Sequence, residues 1–108
     1  MPTPVTLANF SVDAGWGAGA VATVVGTQQR CQLTINSGTA PTISPTFTFT
    51  YPDGAYPLEP GILARMVAGT GQFADLTYQP GTTSTQFTFM DLPEASKSYV
   101  FNIDTAGI

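Results

Sequence analysis

The chain has no histidine, one cysteine and three basic residues, Arg30, Arg65 and Lys97, among 108 residues. Each scarcity excludes a class of chemistry. Without histidine there is no Ser-His-Asp or Cys-His relay, and the commonest metal ligand is missing. A single cysteine, Cys31, makes no internal disulfide and, with no histidine beside it, no zinc site of the usual nitrogen and sulfur type. Three cations against seven carboxylates leave a net charge of −4. Phosphate backbones are held by clustered Lys and Arg, so neither nucleic acid nor an anionic membrane surface is an expected partner. No apolar run reaches the roughly 18 residues that a helical membrane span requires. Met1-Pro2-Thr3-Pro4-Val5 lacks the basic region and apolar core of a secretory signal, so none is expected.

Charged residues are also scarce, at 9% of the chain, against about 25% in ordinary domains. Solubility then rests on Thr, Ser, Asn, Gln and backbone. Two readings account for this: a Thr-rich sheet surface, or a surface largely covered by partners. Hydrophobic residues at 43% argue against disorder, and a chain of this length forms one domain with its own core.

The strongest structural signal is Thr46-Phe47-Thr48-Phe49-Thr50-Tyr51. Side chains alternate between the two faces of a strand, so one face is aromatic and the other carries hydroxyls. Pro52-Asp53-Gly54 supplies turn chemistry after it. Residues 85–90 repeat the pattern, with Phe87 and Phe89 inward. Residues 30–35 place Cys31, Leu33 and Ile35 on one face, and residues 98–104 do the same for Tyr99, Phe101 and Ile103. Further strands are expected at 20–25, 62–68 and, more weakly, 73–78, with a hairpin turn across 26–29 and a loop over 36–45. Seven to eight short strands between Gly/Pro turns predict an all-β antiparallel β-sandwich, jelly-roll or Ig-like. Residues 1–14 read as an extended N-terminal arm with at most a short strand at 5–7, held by a neighbouring subunit if ordered, and 15–108 as a single β-sandwich domain.

Carboxylates are the remaining acid-base groups: Asp13, Asp53, Glu59, Asp75, Asp91, Glu94 and Asp104. A glycosidase needs two across a cleft. Asp53 with Glu59, or Asp91 with Glu94, are the conceivable pairs, but all four lie beside Gly or Pro, where acidic residues are ordinary turn formers. Gly69-Thr70-Gly71 lacks the lysine of a phosphate-binding loop. The expectation is a non-catalytic protein without cofactor or metal. Cys31 is expected to pack as an inert small hydrophobe. What remains is surface recognition, with Val5, Leu7, Phe10, Trp16, Tyr56 and Glu59 as candidate partner contacts. Trp16, inside a glycine cluster, has two readings: a sugar-stacking platform or interface anchor, or a plug at the end of the sandwich, which the burial habit of large aromatics favours.

Trp16-Gly17-Ala18-Gly19-Ala20, Gln29-Arg30-Cys31-Gln32-Leu33-Thr34-Ile35, Ser44-Pro45-Thr46-Phe47-Thr48-Phe49, the Tyr56-Pro57…Pro60 turn and Lys97-Ser98-Tyr99-Val100-Phe101-Asn102 follow one another in an order that resembles small β-sandwich domains of tailed-bacteriophage virion proteins. Such domains occur in capsid decoration proteins, head fibres and tail-fibre tips. The resemblance covers residues 15–104 and departs at Ile103-Asp104. It implies no catalytic residues. It implies a capsid decoration or cement protein on the outer capsid surface of the virion, bound to the major capsid protein and bridging coat subunits, with homo-oligomerisation as a trimer or, second, a dimer. The alternative is a fibre-tip or head-fibre module that binds host surface glycan. The absence of shaft repeats or coiled-coil heptads favours the first.

Overall fold

The computed structural model describes residues 3–52 and 54–106. Asp53 of the expected turn and carboxylate pair, residues 1–2 of the arm and residues 107–108 lie outside the described residues. Eight strands form, as expected for an all-β sandwich: β1 (Phe10–Val12), β2 (Val21–Gly26), β3 (Arg30–Asn36), β4 (Thr46–Thr50), β5 (Gly61–Gly69), β6 (Leu76–Pro80), β7 (Ser84–Phe89) and β8 (Ser98–Ala106). They make two four-stranded sheets, ordered β1-β4-β7-β6 and β2-β3-β8-β5. Every pairing is antiparallel.

The alternating sequences dictate the core. On β4 and β7, Phe47, Phe49, Phe87 and Phe89 are buried, while Thr48, Gln86 and Thr88 take the other face. Phe47 stands opposite Phe87 in register, and their rings stack with centroids 5.0 Å apart. From the other sheet, Cys31, Leu33, Ile35, Tyr99, Phe101 and Ile103 close the interior. Each such side chain contributes about 1.5–3 kcal/mol on burial. Phe101 lies 5.3 Å from Phe47 and 6.0 Å from Phe89, tying the sheets together. β8 is paired on both sides. Ile103 sits between Cys31 and Ala64, and Asp104 between Arg30 and Leu63.

The β2–β3 hairpin closes where Thr27 and Arg30 exchange backbone hydrogen bonds of 2.8 and 3.1 Å. Gly26 precedes them at φ 121°, and a Cβ there would stand 2.5 Å from the Arg30 carbonyl oxygen, so only glycine fits.

Two expectations are corrected. Over residues 3–14 the N-terminal segment does not stand off as the arm expected at 1–14, and the strand expected at 5–7 does not form. A 3-10 turn at Leu7–Asn9, closed by Asn9 N–H to the Thr6 carbonyl and Thr6 N–H to Asn9 Oδ1, leads into β1. β1 is the edge strand beside β4, and the Phe10 ring stacks on Phe49 at 4.9 Å and 15°. Burial of Phe10 and Val5 in the chain's own core holds the segment; no neighbouring subunit is needed. The strand expected at 73–78 runs instead at Leu76–Pro80, because pairing with β7 sets Leu76 opposite Phe89 and Pro80 opposite Thr85. Proline is tolerated there because an edge strand leaves one side of its backbone unpaired.

All strands run between two loop clusters. One, the arm end, gathers residues 3–9, 27–29, 51–52, 54–60 and 81–83. The other, the tryptophan end, gathers 13–20, 37–45, 70–75 and 90–97.

Candidate functional site

At the tryptophan end, Trp16 is the plug. It sits in a 3-10 turn, Ala14–Trp16, and is wholly buried. Its Nε1–H donates to the Thr46 carbonyl at 3.2 Å. Phe89, Tyr99 and Phe101 surround the indole at 5.2, 5.5 and 6.0 Å. The glycines serve close approach here: a Cβ on Gly38 would stand 2.0 Å from the Ala18 oxygen. Trp16 therefore presents no face to a sugar or a partner.

Around this plug the surface changes character. Ile43 and Phe73 are 73% and 61% exposed, and Met90 and Leu92 about half exposed. They come from three different loops that are bonded to one another. Ser44 N–H donates to the Asp91 carbonyl at 3.0 Å, Met90 N–H to the Asp75 carbonyl at 2.9 Å, and the Gln72 amide to the Leu92 carbonyl. Tyr99 braces the same loops from below, donating to Gln72 Oε1 at 2.6 Å and accepting Glu94 N–H at 2.7 Å. Asp13, Asp75, Asp91 and Glu94 are exposed at this end, with Lys97 the one cation there among the described residues. The Asp91 carboxylate accepts Leu92 N–H at 2.8 Å, a turn-forming role. The result is an apolar rim on a rigid, acidic base.

At the arm end, Tyr56 folds inward. Its ring meets Tyr51 edge-on at 5.1 Å, its hydroxyl accepts the Gln28 amide, and its N–H donates to the Thr82 carbonyl at 2.8 Å. Tyr51 donates to the Gly81 carbonyl at 2.9 Å and shares a 2.6 Å bond with Thr85 Oγ1. Burial pushes the Tyr51 phenol above its ordinary pKa, against the opposing effect of the Thr85 bond. The loop exposes Leu58 and Glu59 instead.

The outer face of the second sheet is the third region. Arg30 Nε donates to Asp104 Oδ1 at 2.9 Å, and Gln32 to Asn102 Oδ1 at 3.1 Å. Arg65 stands in register beside Asn102. Arg30, Leu63, Arg65, Asn102 and Asp104 line a recess of about 280 Å³. Cys31 faces the other way, into the core, where burial first and the Asp104 charge second push its thiol up to about 12. It is an inert packing group. Among the described residues no three thiols or carboxylates converge on a metal-sized point.

Of the six candidate contacts, Leu7 and Glu59 are exposed, Tyr56 is half-buried, and Val5, Phe10 and Trp16 belong to the core. The structure does not bring them to one surface. Ile43, Phe73, Met90 and Leu92, which sequence reasoning passed over, share one end. For Ile43 and Leu92 the signal is an apolar residue inside a Ser/Pro/Gly loop; Phe73 and Met90 fall at the ends of the strands expected at 73–78 and 85–90, where nothing in the sequence marks them as uncovered. No family model, curated protein or solved structure matches the chain, so the resemblance to phage virion domains rests on motif order alone.

Proposed function

We propose that this chain is a non-catalytic structural protein of a virion, a decoration or cement protein that docks on the outer surface of a tailed-phage capsid and bridges coat subunits. The observation that carries the reading is the apolar rim of Ile43, Phe73, Met90 and Leu92, four large hydrophobic side chains left in water on braced loops at one end. Such a patch on a chain whose core is already closed marks a surface for another protein. Docking through an end of the molecule lets one sandwich reach the seam between two coat subunits. A protein that binds only the assembled shell stabilises that shell by linkage.

The N-terminal segment, expected to carry partner contacts, is used up in the chain's own fold, so this role passes to the rim. Among the aromatics that could stack a sugar, Trp16 is enclosed, Tyr51 is buried and Tyr56 leans on Tyr51, which disfavours the glycan-binding alternative. The test is to add purified protein to coat shells assembled without it. The proposal expects saturable co-sedimentation and a higher disruption temperature of the shell. Absence of binding at saturating protein would overturn it.

A further inference from the structure

A sandwich of two open sheets has four edge strands, each a row of unpaired backbone groups, and such edges are normally blunted. Here three are. β1 is only three residues long. β6 ends in Pro80. β5 carries Arg65 and a register shift between Met66 and Ala68. β2, Val-Ala-Thr-Val-Val-Gly, has no charge, no proline and no bulge. Val21 and Val25 on its outer face are 58% and 67% exposed.

The hydrogen-bond parity of β2 follows from its turn. Thr27 and Arg30 bond each other, so, in the alternation of an antiparallel ladder, Val25, Thr23 and Val21 point their backbone groups to β3. Gly26, Val24 and Ala22 point theirs away. The chain itself already uses part of this edge. Pro4 bridges Thr27, Val5 N–H donates to the Gly26 carbonyl at 3.0 Å, and Gln28 N–H to the Thr3 carbonyl at 2.9 Å. The Leu7–Asn9 turn, still packed beside β2, then carries the chain to β1. Ala22 and Val24 remain, their N–H and C=O groups without a hydrogen-bond partner among the described residues.

We propose that β2 is a self-association edge, pairing antiparallel with β2 of a second copy across a two-fold axis at Thr23. Only one register satisfies the free groups of both copies. Ala22 of each chain bonds Val24 of the other, in both directions. That register sets Thr23 opposite Thr23 of the second copy and Val21 opposite its Val25, so the exposed valines cover each other. Symmetry fixes the direction. A two-fold axis normal to the sheet makes the two β2 strands antiparallel and keeps Val21 and Val25 of both copies on one face, whereas a two-fold axis along the strands would pair them parallel and put these valines on opposite faces. The pair is an isologous dimer with one continuous eight-stranded sheet. This stands apart from whatever assembly the rim docks on.

Two experiments test it. The first is sedimentation equilibrium on the parent and on Thr23→Lys, with Gln86→Lys on the other sheet as a charge-matched control. Thr23 and Gln86 are both exposed. The expected result is a concentration-dependent dimer that Thr23→Lys weakens by about tenfold or more and Gln86→Lys leaves intact. The second is oxidation in a Cys31→Ser background. Opposed residues of a non-hydrogen-bonded pair have Cα atoms about 4.5 Å apart, inside the disulfide window of roughly 4.4–6.8 Å. Thr23→Cys should cross-link to a covalent dimer, and Val21→Cys alone should not. A parent that stays monomeric up to about millimolar concentration, where even weak pairs associate, overturns the proposal. So does a Thr23→Cys variant that cross-links no faster than Val21→Cys.

Discussion

Cys31, Tyr51 and Tyr99 sit in or against the core, and burial raises the pKa of each. For Tyr99 the carboxylates of Glu94 and Asp91 add to the effect, while the hydrogen bond at Glu94 opposes it. The folded state therefore keeps protons that the unfolded chain gives up as pH rises. By linkage, the stability these groups contribute is complete below their ordinary values, 9.0 for the thiol and 10.0 for the phenols, and is lost as pH climbs toward the folded values. Melting temperature is expected to be insensitive to these groups at neutral pH and to fall above pH 9.0, with Cys31→Val delaying the onset toward pH 10.0. Superimposable pH profiles for parent and variant would contradict the assignment. A second residue, Thr105, buries a hydroxyl that has no hydrogen-bond partner among the described residues. An unpaired buried hydroxyl costs stability, so Thr105→Val should raise the unfolding free energy in urea by about 1 kcal/mol.

Among the elements, β1 separates a bound N-terminal segment from a loose one. Phe10 stacks on Phe49 at the sheet edge, and Phe10→Ala should cost about 3 kcal/mol in urea denaturation; a free arm would cost almost nothing. The long strands were legible because period-two alternation survives over six or seven residues, as in Thr46 to Tyr51 and Arg30 to Asn36. β1 was not, since Phe10-Ser11-Val12 is too short to show a period. β6 was misplaced because Phe73 and Ala74 look like strand residues, yet the partner β7 determines which residues pair. The candidate site was the least legible part. Trp16 and Ile43 both lie in Gly/Pro-rich loops; the burial habit of large aromatics favours Trp16 as the plug, but nothing local says that Ile43 stands in water. Tyr56 behaves likewise: its inward turn depends on Gln28 and Tyr51, distant in sequence. Burial of loop side chains is decided by which loops meet, and one-dimensional patterning does not carry that.

For the whole molecule, the two ends divide the work. The arm end is closed by the chain's own residues 3–5 and by Tyr51 and Tyr56. The tryptophan end keeps a rigid base and leaves its apolar rim uncovered, and β2 adds an edge through which copies can pair. The central claim is that the rim docks on another protein, and a binding isotherm on assembled coat shells tests it most directly. The pair of substitutions Ile43→Ser and Phe73→Ser touches two side chains that are mostly in water, so the melting temperature should stay with the parent. Burying each parent side chain at an interface is worth about 1.5–3 kcal/mol, so the double variant is expected to bind shells about a hundredfold more weakly or worse. Affinity equal to the parent, with the fold intact, would contradict the account.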